Sequence, residues 1–268
     1  MKRWPLKIKN SLLTGLAACL TLSAAASFAD SPRPINPADP YEPFNRLMFN
    51  FNDFMDKVLL KPVATLYNKI MPKPVSKGIS NMFSNVDTIT TVANDVLQFN
   101  FYQATSDTWR FMINTTIGIG GFFDVAEHMG LERNVEDLGL TFAKWGWKDT
   151  NYLVLPFIGP STVRDGIAWP INYEALTIYP WLQPVGTRYA VYFTGVVSKR
   201  AELLRFENVM EQAALDRYVF MRDAYLQNRK YRIERNEQLS DPYVEKNNKL
   251  TSDESIANDS TLISPVRP

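Results

Sequence analysis

The sequence predicts a mainly α-helical fold, and three observations carry that expectation. Apolar residues recur at three- and four-residue spacing along most of the stretch from residue 44 to residue 238. Prolines interrupt this pattern often enough to cut it into many helices. Strand signals are few, and no internal repeat is present.

The chain opens on Lys2, Arg3, Lys7 and Lys9, followed by an uncharged run from Leu12 to Ala26 and then Ser27-Phe28-Ala29. A basic start, a short apolar stretch and small residues at the −3 and −1 positions predict a secretory signal peptide over residues 1–29. The apolar stretch falls short of the roughly 20 residues that a membrane-crossing helix needs. Leu16-Ala17-Ala18-Cys19 also fits a lipobox, in which residues 1–18 are removed and Cys19 is lipidated. The apolar run continues past Cys19 through Leu20, Leu22 and three alanines, which favours cleavage after Ala29. If Cys19 is the acylated residue, the Leu20 that follows, in place of Asp, implies an outer-membrane destination. Beyond residue 29 there is no cysteine, which excludes disulfides, a thiolate nucleophile and Cys-ligated metals from the mature chain.

Residues 30–43 hold five prolines and read as an extended leader. Phe44, Leu47, Met48, Phe51, Met55, Val58 and Leu59 form one helical stripe, with Phe49 and Phe54 off it, so this helix is apolar on more than one side. Pro62 opens a second helix carrying Val63, Leu66, Tyr67 and Ile70, which Pro72 and Pro74 end. A third is expected through Val75, Ile79, Met82 and Phe83, and a separate fourth through Ile89, Ala93, Val96 and Leu97. Ala104 to Ile113 continues as helix into an uncharged segment with Gly118, Gly120 and Gly121, where glycine permits tight turning or close packing. Asn134, with Asp137 three residues on, reads as the cap of a helix running to Lys144 and ending at Gly146. Tyr152 to Ile158 is a strand or a buried connection, and Thr162 with Asp165 resembles a capping box. Lys199 to about Glu237 reads as one long helix, with Leu203, Phe206, Met210, Ala213, Ala214, Tyr218, Met221 and Tyr225 on its apolar face. The folded domain is thus expected over residues 44–238, and residues 239–268 form a polar tail with the composition of a disordered segment.

Basic and acidic residues nearly balance at 29 and 28, against the basic excess of a nucleic-acid-binding chain. A Ser-His-Asp triad would have to use His128, the single histidine, whose setting Glu127-His128-Met129-Gly130 resembles a helix end. Gly159-Pro160-Ser161 lacks the second glycine of a nucleophile elbow, and there is no P-loop or His pair. The pattern calls for no cofactor or metal. Among the carboxylates, Asp124, Asp165 and Glu174 lie near apolar or aromatic segments, so a glycosidase-like pair built from distant positions stays open. Arg110, Arg133 and Arg164 interrupt apolar regions. Each reads as a structural ion pair or as a group that holds a lipid phosphate at the lip of an apolar pocket.

Several long motifs resemble the MlaA family, also called VacJ lipoproteins. They are Asp39-Pro-Tyr-Glu-Pro-Phe-Asn-Arg46, Asn85-Val-Asp87 with Asn94-Asp95, the segment from Phe111 to Asp124, Glu136-Asp-Leu-Gly-Leu-Thr-Phe142, and the segment from Leu155 to Gly166. Together they span roughly residues 39–235. The resemblance implies a ring of helices embedded in the periplasmic leaflet of the outer membrane around an amphipathic channel. It implies removal of mislocalised glycerophospholipids from the outer leaflet and their transfer to a periplasmic phospholipid-carrier protein, in association with an outer-membrane trimeric porin. No enzymatic activity is implied. On that reading Gly118, Gly120, Gly121, Phe122, Phe123 and Arg164 are candidates for the lipid path, and Cys19 for the acyl anchor. Trp145, Trp147, Trp169, Tyr173 and Trp181 suit the headgroup–tail interface. Two other readings stay open: a porin-associated structural protein without transport, and a periplasmic hydrolase that uses carboxylates or His128.

Overall fold

The computed structural model describes residues 39–207 and 215–239; the signal segment with Cys19, the leader to residue 38, Met210, Ala213, Ala214 and the polar tail lie outside the described residues. The fold is helical, as expected. Helix α1 (Glu42–Met55) passes through a π-helical turn (Asp56–Leu60) into α2 (Lys61–Ile70), and Pro62 occupies the start of α2, where its missing N–H costs nothing. Helix α3 (Lys73–Leu97) follows Pro72 and runs unbroken for 25 residues, where the sequence suggested two helices. Asn85, between the two apolar groups, donates sideways to the Thr115 hydroxyl of the next helix at 2.8 Å and leaves its own helix intact.

Helix α4 (Phe101–Thr116) starts at an Asn100 cap and ends in the glycine segment. A short α5 (Val125–His128) and α6 (Leu138–Lys144) are capped by Asp124 and Asp137 respectively. Asp137 is the cap, not Asn134, because Asn134 is buried with its amide against Asp95 and Asp107 at 3.4 and 3.3 Å. Strands β1 (Tyr152–Leu155) and β2 (Gly159–Thr162) pair antiparallel, from Tyr152 opposite Thr162 to Leu155 opposite Gly159. Thr162 then caps α7 (Val163–Leu176) by accepting from the Asp165 N–H at 3.1 Å, as its spacing suggested. A 3₁₀ turn (Tyr179–Trp181) leads to α8 (Val185–Leu203), and the chain ends in α9 (Arg217–Leu239).

The expected single helix from Lys199 to Glu237 is therefore divided. Helix α8 stops at Leu203, a 3₁₀ turn takes Leu204–Phe206, and α9 begins afresh because Asp216 accepts from the N–H groups of Tyr218 and Val219 at 2.9 and 3.2 Å.

The packed elements close a circuit: α1 joins α2, α2 packs on α8, α8 on α3, α3 on α7, α7 on the β-hairpin, and the hairpin returns to α1. The hairpin is held by α1 in an unusual way. Asn45 donates to the Tyr152 carbonyl and accepts from the Val154 N–H, while Asn52, two turns on, donates to Leu155 and accepts from Phe157. Two asparagine amides thus complete the hydrogen bonding of an exposed strand edge. The apolar core beneath is small: Tyr152, Val154 and Tyr218, flanked by Met48, Phe49, Val219, Tyr225 and Leu226. Other buried apolar positions are mainly alanines, whereas Asn45, Thr91, Asn94, Asp95, Asp107, Thr141 and Arg164 are all almost fully buried.

Candidate functional site

Helix α4 carries its polarity reversed. Its buried face is Ala104, Asp107, Arg110 and Asn114. Its exposed face is Phe101, Tyr102, Thr105, Thr108, Trp109, Met112, Thr115 and Thr116, with no charge among them. Trp109 is 56% exposed and Tyr102 82%. The exposed hydroxyls of Thr105, Thr108 and Thr116 turn back to the carbonyls of Phe101, Ala104 and Met112 four residues earlier, at 2.7 to 2.8 Å. A threonine in water has no need of that bond; in hydrocarbon it satisfies the donor internally. Other helices continue the trend, with Leu47, Phe54, Val58, Leu59, Leu66 and Ile70 exposed along α1, the π-helical turn and α2. No described helix is long and apolar enough to cross a membrane.

The glycine segment follows directly. Gly120 and Gly121 have φ of +68° and +87°, and Ile119 between the turns is also left-handed at +55°. A Cβ on Gly121 would stand 2.5 Å from the Asn85 Cβ, whereas one on Gly120 would meet nothing within 4 Å. A Cβ on Gly118 would stand 2.2 Å from the Phe123 carbonyl oxygen. Phe122 packs its ring against Gly78 of α3, and its carbonyl accepts from Asn81 at 3.1 Å. Ile117, Ile119 and Phe123 point the other way and are exposed. The turn is therefore neither a buried core turn nor a free loop: one side is seated on α3 and the other offers three large apolar side chains.

Its base is clamped. Arg110 pairs with Asp124 and donates to the Leu131 carbonyl, while Asn114 donates to Asp124 at 2.9 Å and accepts from the Ala126 N–H at 2.9 Å. Burial pushes the Asp124 carboxyl up, but Asn114 and Arg110 outweigh it and hold the group below its ordinary value. Arg110 is thus a structural strut. Arg164 has a similar occupation elsewhere: it is 1% exposed, donates to the carbonyls of Trp147 and Lys148 at 3.0 and 3.2 Å, and pairs with Asp165 at 3.0 Å. The structure brings Gly118 to Phe123 together in one turn and places Arg164 apart from it, against the carbonyls of the segment between α6 and β1. Arg133 alone of the three is exposed.

His128 closes α5 with its ring nitrogen 2.9 Å from the Asp124 carbonyl and is exposed, consistent with the helix end read from its neighbours. Asp165 is tied to Arg164, Arg229 and Tyr225, an ion-pair network in which both of its carboxylate oxygens are already engaged. Trp169, Tyr173 and Tyr179 stack in succession at 5.8 and 6.3 Å, and Tyr192 meets the last two edge-on. A feature that the sequence concealed lies behind α4. Asp95 and Asp107 are buried beside Asn134, and Glu136 accepts from Gln98 and Asn236 at 2.8 Å each. Its only trace is the spacing Asp107, Arg110, Asn114, a polar stripe at helical period inside an apolar run.

The comparisons with known proteins agree with one another. An uncharacterized protein of Rickettsia felis is 37% identical over 186 residues, 69% of this chain and 74% of its own. The intermembrane phospholipid transport system lipoprotein MlaA of Haemophilus influenzae is 31% identical over 229 residues, 84% of this chain and 90% of its own, and that of Escherichia coli is 32% identical over 228 residues, 83% and 87%. A chain solved in work on the structural basis for maintenance of bacterial outer membrane lipid asymmetry superimposes with a TM-score of 0.62 at 29% identity, covering 73% of this chain and 98% of that one. The MlaA lipoprotein family profile matches residues 37–232, and the chain belongs to that family.

Proposed function

We propose that this chain works in intermembrane phospholipid transport: it removes mislocalised glycerophospholipids from the outer leaflet of the outer membrane and passes them to a periplasmic carrier, which maintains lipid asymmetry. The carrying observation is the reversed polarity of α4, supported by the family relation. A helix that buries Asp107, Arg110 and Asn114 and exposes Trp109 and Met112 suits a protein whose outer surroundings are acyl chains. Each half-exposed large side chain moved into hydrocarbon contributes roughly 1–2 kcal/mol, so such a face holds the molecule in a leaflet without a spanning helix.

On this reading the circuit of helices surrounds an amphipathic route in the periplasmic leaflet, and a trimeric porin flanks it. The turn from Gly118 to Phe123 offers its apolar side to the lipid tails, while Arg164 ties α7 to the segment that leads from α6 into the hairpin. Moving a lipid requires a polar wall for the headgroup and an apolar one for the tails, and no covalent step. Neither the Asp165 network nor His128 has the geometry that the hydrolase reading needs.

The test is deletion of the chromosomal copy. Phospholipid is expected to accumulate in the outer leaflet; unchanged outer-leaflet composition would overturn the reading. A bulky residue at Gly120, which has open space beside it, separates transport from a purely structural role: transport falls while porin association persists.

A further inference from the structure

Arg110 and Arg164 are buried and fully committed, but Arg133 is exposed and, among the described residues, has no ion-pair or hydrogen-bond partner. It stands at a cavity of about 330 Å³ between the 131–137 segment and the last turns of α9. Arg232 and Arg235 line the same cavity from α9, three residues apart and so on one face. Arg232 uses one nitrogen on the Val135 carbonyl. Arg235 has only Glu132 near it, at 4.0 Å, and that carboxylate is 89% exposed. The other acid in the wall, Glu136, is turned into the protein, where its carboxylate accepts from Gln98 and Asn236 rather than from the three arginines.

Three guanidinium forks around one cavity, short of anionic partners, make a site for an oxyanion with more than one acceptor oxygen. Its volume lies at the low end for ligand sites, large enough for a headgroup and too small for acyl chains. Two lining residues, Val135 and Tyr231, are exposed and give the rim an apolar edge. We propose that this cavity holds the phosphate of a glycerophospholipid headgroup, with the glycerol and chains lying over Val135 and Tyr231. The identity of the phosphate's carrier rests on the lipid-moving reading above; the anion site itself rests on the arginines.

The test uses the purified full chain in detergent and three probes: dihexanoyl phosphatidylglycerol, inorganic phosphate and uncharged dihexanoylglycerol, titrated by calorimetry. The phospholipid is expected to bind at least about tenfold more tightly than either of the others, and more weakly as salt rises. Arg133→Gln, an exposed change without cost to folding, is expected to weaken it about tenfold, the size of one charge-assisted hydrogen bond, and Arg235→Gln to weaken it similarly. Equal binding of inorganic phosphate would make this a free-phosphate site and overturn the proposal. So would equal binding of dihexanoylglycerol, or unchanged affinity in both variants. These outcomes are independent of the deletion phenotype, so the transport reading and the headgroup site fail separately.

Discussion

Two groups of buried carboxylates lie on either side of α6 and are handled in opposite ways. Towards α9, Asp137 and Asp165 share Arg229, at 2.5 and 2.7 Å, and Asp165 also meets Arg164. Towards α3 and α4, Asp95 and Asp107 have no ion-pair partner among the described residues, only the amide of Asn134 and, for Asp107, that of Gln103. Burial pushes Asp137 up, but the Arg229 pair outweighs it and holds the carboxyl below its ordinary value. Burial and the neighbouring Asp107 push Asp95 up to about 9. One group is a set of ion pairs that locks α6, α7 and α9 together. The other is polar packing held by amides, in which Asp95 is pushed towards its protonated form. A proton on Asp95 suits a buried site without a cation, because an unpaired charge there would be desolvated and uncompensated.

The largest expected effect comes from breaking the paired side. Arg229→Met leaves the half-buried Asp137 without its cation and the buried Asp165 with Arg164 alone, and should destabilise the protein by roughly 2–4 kcal/mol, read from denaturant unfolding of the detergent-solubilised protein. A loss near zero would mean that the arginine contributes nothing beyond its volume. The glycine turn on the unpaired side comes next. Gly121→Ala must displace Asn85 and hold a left-handed backbone, for about 3 kcal/mol. Gly120→Ala faces the same backbone strain in open space, for about 1–2 kcal/mol. Equal losses at the two positions would show that the seat on α3 does not matter.

Features that arise from near neighbours could be read in the sequence, and features that need a distant partner could not. The proline starts, the Thr162 cap with Asp165 and the glycine turn are all local, and each stands where the spacing put it. The continuity of α3 was hidden because the polar residues Ser84, Asn85, Asp87 and Thr88 separate its two apolar groups, and Thr115, the partner of Asn85, lies thirty residues on. The new start of α9 at Asp216 was hidden because a charged residue in an amphipathic pattern looks like a solvated face. In the candidate site, Arg110, Arg133 and Arg164 were alike as letters. Carbonyls and carboxylates brought from at least fourteen residues away, Asp165 beside Arg164 excepted, divide them into two struts and one free cation at a cavity. The reversal of α4 was half legible: the apolar letters were plain, but only the fold says which face is inside.

The unpaired side has the subtler test, one that depends on pH. An acid whose folded value is raised binds a proton in the native state that the unfolded chain has already released. Between the unfolded value near 3.8 and the folded value of about 9, Asp95 therefore makes stability fall as pH rises. Asp137 works the other way: its contribution is present above about 3.8 and is lost as pH falls through its lower folded value. Asp95→Asn replaces the protonated acid with a neutral group of the same shape that still donates a hydrogen bond. Below about pH 3.8, where the acid is protonated in both states, the substitution should change stability by little, within about 0.5 kcal/mol, and by pH 5 the variant should already be the more stable. As pH rises to 8 the variant should become progressively more stable than the parent, because the term that weakened the parent has gone. Unfolding midpoints of both proteins across pH 5 to 8 measure this directly. Parallel profiles would mean that Asp95 is ionised in the folded state and that the α3–α4 interior carries a charge after all. Diverging profiles, with Arg229→Met run alongside as the paired counterpart, would establish that Asp95 keeps its proton in the folded state while the carboxylates at Arg229 stay ionised and paired.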